Sequence, residues 1–177
     1  ESDPEFSVEH MLRELGETVA RLCREKGIPR PKIILEPGRS IVADAGMTLY
    51  TAGAVKQIVG GRNYVIVNGG MTDNPRYALY GASYQAVKAT DPKGERNLRA
   101  AIAGKCCESG DLIGEGMPLQ KVEVGDTIAV LATGAYNYSM SSNYNRIPKP
   151  AVVFVKDKSA RVVVKRETLD DIIRNDI

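Results

Sequence analysis

The chain has 177 residues, enough for one ordinary domain or for one domain and a piece of another. Apolar residues make up 43% and charged residues 26%, the balance of a chain with a folded core. The 24 basic and 22 acidic residues nearly cancel, and a net charge of +2 leaves no electrostatic footprint for nucleic acid or for a membrane surface. No apolar run approaches the roughly eighteen residues of a membrane span, and Glu1 to Glu5 do not form a basic-then-apolar leader. Three cysteines, two of them adjacent, suit a reducing cytoplasm better than a disulfide framework. With no initiator Met, the protein is expected to begin upstream of Glu1.

Val8, Met11, Leu12, Leu15, Val19 and Leu22 recur at three- and four-residue spacings, which predicts an amphipathic helix. Ser7 caps its start, and Gly27 with Pro29 and Pro31 closes it. A short apolar strand over residues 32–35 follows and ends at Glu36-Pro37-Gly38-Arg39. A helix followed by a buried-type strand is half of a β/α repeat. Residues 1–40 therefore read as the tail of something α/β, which would be the terminal remnant of a (β/α)8 barrel if the absent remainder is one. On such a barrel the strand's carboxyl end, Glu36 to Arg39, faces the active side.

From Ile41 the texture changes. Strands are predicted over 47–59, 64–68, 98–106, 127–133, 151–156 and 160–165, with Gly60-Gly61, Gly69-Gly70, Gly125-Asp126 and Asp157-Lys158 as turns. Residues 41–177 thus read as a mainly β domain, an antiparallel sandwich or barrel. A Gly-rich loop is read after Asp111. Thr168 with Asp171 starts a short C-terminal helix as a capping box.

Four stretches carry chemistry. Glu36-Pro37-Gly38-Arg39 joins a carboxylate, a rigid turn, open backbone and a guanidinium, which suits a phosphate or carboxylate; a Pro-Gly turn flanked by an ion pair fits as well. Within the loop 68–80, Pro75 can start a helical turn that sets Arg76 and Tyr80 at i and i+4, a fork for a carboxylate or simply a surface helix. In the loop 105–111, Cys107-Glu108-Ser109-Gly110-Asp111 sets a thiol beside two carboxylates, a reactive cluster or a polar turn over a buried thiol. The loop 134–146 combines small residues, amides and the tyrosines Tyr136, Tyr138 and Tyr144, suited to phosphate hydrogen bonding or to close packing between domains. His10 is the only histidine and lies on the first helix, so neither a Ser-His-Asp mechanism nor a zinc site is expected, and no metal is assigned.

In this order, Glu36 to Arg39, Asn68 to Met71, Arg76 with Tyr80, Cys107 to Asp111, Gly134 to Tyr136, and Ser139-Met140 through Asn145, the motifs resemble the fold-type III pyridoxal-phosphate decarboxylases across nearly the whole chain. Glu108 is similar to the branch acting on diaminopimelate; ornithine-type relatives usually carry Asp there. The resemblance implies an N-terminal β/α barrel, missing here, followed by a C-terminal β domain, which this chain would supply entire. It implies pyridoxal 5′-phosphate as cofactor, with the Schiff-base lysine, a stacking histidine and a Gly-rich phosphate loop all in the absent barrel. Lys88 lies in Ala86-Val87-Lys88-Ala89, an echo of that lysine's surroundings, but its place in the order excludes it.

By the same resemblance, Glu36 pairs with the pyridine nitrogen, while Gly38 and Tyr136 hold the phosphate. Arg39, Arg76 and Tyr80 grip the substrate's distal carboxylate, Glu108 takes its distal ammonium, and Cys107 is the catalytic proton donor. Cys107 and Glu108 are expected to reach into the partner subunit's site, making the active unit a homodimer. The expected reaction is conversion of meso-2,6-diaminopimelate to L-lysine with release of carbon dioxide, in the cytoplasm, on a small-molecule substrate and with no nucleic-acid or membrane partner. Related decarboxylases for carboxynorspermidine, ornithine or arginine are the alternatives, as is a non-catalytic regulatory homologue. The 177-residue chain alone is expected to be inactive.

Overall fold

The computed structural model describes residues 7–177; the expectation for Glu1 to Glu5 lies outside the described residues. The chain divides into one unit ending at Glu36 and a second, Pro37–Ile177.

In the first unit, helix α1 spans Val8–Lys26. Ser7 Oγ accepts the His10 N–H at 3.2 Å, and Gly27 closes the helix in the left-handed region at φ 61°. Both ends match the local signals, because capping needs only neighbours in sequence. The strand expected over 32–35 is not formed. Ile33, Ile34 and Leu35 are exposed, and no described strand pairs with them. A strand exists through its ladder, and an apolar run without a partner backbone stays irregular.

The second unit is built on a six-stranded sheet: β1 (Met47–Lys56), β2 (Asn63–Val67), β3 (Ala86–Lys88), β4 (Leu98–Ala103), β5 (Leu112–Leu119) and β6 (Thr127–Leu131), in the order β3-β6-β1-β2-β4-β5. The end strands approach one another, and the Lys88 N–H donates to Gln120 Oε1 at 3.0 Å just beyond β5, so the sheet is barrel-like and nearly closed. Val65, Val67, Ile102, Ile113, Leu119, Ile128 and Val130 fill the interior with almost no exposure. Each such side chain contributes about 1.5–3 kcal/mol relative to an exposed position.

Three expectations need correcting. The sheet is not wholly antiparallel: β2 and β4 run parallel, joined by a crossover through α3 (Arg76–Tyr80) and β3. The Gly-rich segment after Asp111 is strand β5, not a loop, because its Gly114 and Gly116 sit at register shifts against β4 and leave space for Met117 and Arg99. Strand β3 was not predicted; three residues are too few to show a period.

A separate hairpin, β7 (Val152–Lys156) with β8 (Ser159–Val164), turns at Asp157 and Lys158, both in the left-handed region, as a two-residue hairpin loop requires. Helix α4 (Leu169–Ile173) carries the predicted Thr168–Asp171 capping box. Among the described residues no helix is long and apolar enough to cross a membrane.

Candidate functional site

Two short helices bring charge to one place in the second unit. Helix α2 (Arg39–Val42) starts at Gly38, and the turn that follows it is held by the chain leaving β6: the Gly134 N–H donates to Ala43 O at 3.0 Å, and the Thr133 N–H to Gly46 O at 3.0 Å. Gly46 and Gly134 touch through their backbones, with no space for a Cβ on either. This closeness carries Tyr136 to the start of α2. Its hydroxyl lies against Gly38, where an added Cβ would collide with it. Tyr136 itself has φ 70°, a conformation that costs a non-glycine residue about 1–2 kcal/mol.

The second helix, α3, follows Pro75, and its first residue is Arg76. The Arg76 guanidinium lies 5.0 Å from the Tyr80 ring centre, as the i, i+4 spacing predicts, and 5.2 Å from that of Tyr136. Arg39 approaches the same Tyr136 ring at 5.5 Å. One phenol ring therefore stands beside two guanidiniums, and among the described residues neither forms a salt bridge. Arg76 Nη1 has only the Met140 sulfur, at 3.7 Å, and its buried Nε has no acceptor. A cation–π contact contributes about 0.5–1 kcal/mol at an open site, too little to balance two neighbouring positive charges. Their natural complement is an anion, taken in bidentate fashion by a guanidinium. Tyr80 and Tyr136 are exposed, so the face is open. The hollow of about 430 Å³ lined by Arg62, Arg99 and Glu115 includes none of these residues.

The loop 68–80 that carries Arg76 also holds a buried polar floor. Asp73 accepts from the Tyr50 hydroxyl and from the Gly70 N–H at 3.2 Å. Burial pushes the Asp73 carboxyl up to about 6, against the opposing pull of those hydrogen bonds, with nearby Asp111 adding to the rise. Burial, then the neighbouring Asp73 charge, push the Tyr50 phenol well above its ordinary value. Asn74 is fully buried, and the Thr72 carbonyl accepts the Ser142 N–H at 2.8 Å, joining the loops 68–80 and 134–146.

The third loop, 105–111, has one buried and one exposed face. Cys106 points inward, and burial followed by the Asp111 carboxylate raises its thiol to about 11. Cys107 is exposed, with its N–H donated to Asn145 Oδ1 at 3.0 Å. Glu108 is exposed and folds back on its own turn, accepting from the Gly110 N–H at 3.1 Å and from Ser109 Oγ at 3.3 Å.

Of the residues singled out in the sequence, Gly38, Arg39, Arg76, Tyr80 and Tyr136 form one group. Cys107 and Glu108 stand on a separate loop, without a hydrogen bond to that group among the described residues. Glu36, exposed, ends the first unit. Lys88 is engaged on β3 with Asp126, 2.7 Å away. The floor residues Tyr50 and Asp73 were missed. Asp73, three residues after Gly70, was findable as a turn carboxylate; Tyr50 is one aromatic of an ordinary strand and left no signal.

A phosphate fits the residues present. The Tyr136 hydroxyl beside the narrow Gly38 backbone offers neutral donors, and the unpartnered Arg76 Nε marks where negative charge is wanting.

Comparison with known proteins identifies the family. Residues 36–134 match the family model described as pyridoxal-dependent decarboxylase, C-terminal sheet domain. The chain is 48% identical, over its full length, to the diaminopimelate decarboxylase of Bacillus subtilis (strain 168), and 45% identical over 99% of its length to that of Staphylococcus aureus (strain COL). It spans about two-fifths of those relatives, 40% and 42% of their lengths. Among solved structures, diaminopimelate decarboxylase from M. jannaschii in co-complex with L-lysine superposes with a TM-score of 0.85 at 34% identity, covering 100% of this chain and 40% of that one. A lysine/ornithine decarboxylase from Vibrio vulnificus, at 19% identity and a TM-score of 0.65, shares the fold; the match covers 82% of this chain and 37% of that one.

Proposed function

This chain belongs to the pyridoxal-dependent decarboxylases, as their C-terminal sheet domain, and from that premise we propose that the whole protein converts meso-2,6-diaminopimelate to L-lysine and carbon dioxide. The observation that carries the reading is Tyr136 beside Arg39 and Arg76, two guanidiniums without a carboxylate partner among the described residues. The names of the relatives support diaminopimelate as the substrate. Diaminopimelate bears an amino-acid group at each end, so a site must hold one end while the other reacts.

When bound, pyridoxal phosphate supplies an electron sink for the pair left at the α-carbon as carbon dioxide departs. The Gly38 backbone and the Tyr136 hydroxyl would hold its phosphate, and Glu36 its ring nitrogen. Arg39, Arg76 and Tyr80 would take the distal carboxylate, and Glu108 the distal ammonium. The scissile bond is that between the α-carbon and the carboxyl group; the α-carbon then receives one proton, which Cys107 Sγ would deliver. In this reading residues 1–40 end a β/α barrel and residues 41–177 form the domain that completes its site. The cofactor-bearing lysine lies in that barrel, the enzyme is a cytoplasmic homodimer, and Cys107 with Glu108 serves the partner subunit's site.

Lysine formation by the full-length protein, with pyridoxal phosphate and a panel of diaminopimelate, ornithine, arginine and carboxynorspermidine, is the test. Turnover of meso-diaminopimelate alone supports the reading. Turnover of a diamine precursor in its place overturns the substrate, and an upstream sequence without the cofactor lysine overturns the enzyme.

A further inference from the structure

Asp111 closes the catalytic loop, and its position exceeds what a turn residue needs. Its carboxylate is almost fully buried, with 3% of the residue exposed. Oδ1 accepts the Met71 N–H at 2.6 Å and Oδ2 accepts the Cys106 N–H at 2.7 Å. The two N–H groups belong to different loops: Met71 lies five residues before Arg76, and Cys106 directly precedes Cys107 and Glu108. The neck is closed from the backbone too, with the Gly104 N–H donating to Asp111 O at 2.9 Å and the Lys105 N–H to Gly69 O at 3.2 Å. Gly70 and Gly104 press against the carboxylate so closely that a Cβ on either would collide with it.

We propose that Asp111 is a positioning residue for the decarboxylation: it clamps the Cys107–Glu108 loop to the 68–80 loop of its own chain, and so fixes the pose in which the proton donor is presented to the partner subunit's site. The inference rests on the proposed role of Cys107. Only a carboxylate meets the geometry, since each of two oxygens takes one backbone N–H. An amide would turn its own NH₂ toward one of those donors, and a glutamate has no space between Gly70 and Gly104. Asp111 acts through the loop and touches neither substrate nor cofactor.

The experiment is a double-variant cycle in the full-length protein, with Asp111→Asn made in the wild-type and in the Cys107→Ala background, read by lysine formation, alongside amide hydrogen exchange at Met71 and Cys106. A reactive group displaced by an ångström costs about a hundredfold, so kcat is expected to fall about tenfold or more in the wild-type background, with KM changed less than about threefold. In the Cys107→Ala background the same substitution is expected to cost less than about twofold, because its effect runs through the thiol. Equal losses in both backgrounds overturn the proposal and leave the proposed reaction standing. Lack of lysine formation by the wild-type protein overturns the reaction instead. In that case, and equally if Asp111→Asn does not fold, wild-type exchange decides the clamp: slow exchange at both amides supports it, and exchange at the rate of open loop amides refutes it.

Discussion

The open face formed by Arg39, Arg76, Tyr80 and Tyr136 and the buried floor formed by Tyr50, Asp73 and Asp111 are both polar, yet they solve opposite problems. On the floor the carboxylates are met by backbone N–H groups and a phenol from the same chain. On the face two cations share a ring, and a buried guanidinium nitrogen has no acceptor. A buried carboxylate that is satisfied holds structure, whereas a guanidinium left wanting invites an anion. The contrast separates residues that shape the loops from residues that bind.

The largest break in this contrast is expected from the face. Arg76→Ala in the full-length protein should lower kcat/KM for diaminopimelate roughly a hundredfold, the scale of leaving a desolvated carboxylate unpaired. Arg76→Lys should recover only part of it, since an ammonium cannot reproduce the fork. An unchanged kcat/KM would remove Arg76 from the site.

The floor should answer to pH instead. The Asp73 carboxyl is raised from 3.8 to about 6 by burial, so the folded state holds its proton more tightly than the unfolded one. Its stabilising contribution is fully present below about pH 4 and is lost as pH rises through about 6. At about 1.4 kcal/mol per pKa unit, the change across that window is on the order of 2–3 kcal/mol. Thermal unfolding of wild type and Asp73→Asn between pH 4 and 7 should show a downward slope that the variant lacks; parallel curves would contradict the burial argument.

Gly38→Ala tests the packing within the open face, in the smaller range. The new methyl would push the Tyr136 hydroxyl away, and pyridoxal phosphate affinity should fall about tenfold, one lost hydrogen bond to a charged group, read by a cofactor titration. Smallest is a difference in thiol labelling. At pH 8 the exposed Cys107 should be alkylated several-fold faster than Cys106, whose thiol is raised to about 11. Peptide mapping after a short pulse shows which cysteine reacted first.

Where sequence reading succeeded, the signal was local. Helix α1 with its caps, the box at Thr168, and Arg76 over Tyr80 each depend on residues a turn apart. It failed where the partner is distant. Residues 32–35 are as apolar as β6, yet only β6 has neighbours on both sides. Val152 to Val155 pair in a hairpin and remain largely exposed, so an apolar run is not evidence of burial. Glycine in β5 read as loop because its register shifts are defined only against β4.

By itself the sequence determined helices α1, α3 and α4, most strands and the motif order, because propensity, capping and periodicity act over a few residues. Tertiary structure alone decided that β2 meets β4 in parallel, that Arg39 and Arg76 converge on one tyrosine, and that Asp111 joins two loops. Those outcomes depend on contacts across dozens of residues, where close packing and hydrogen-bond satisfaction select one partner among many that the sequence would permit.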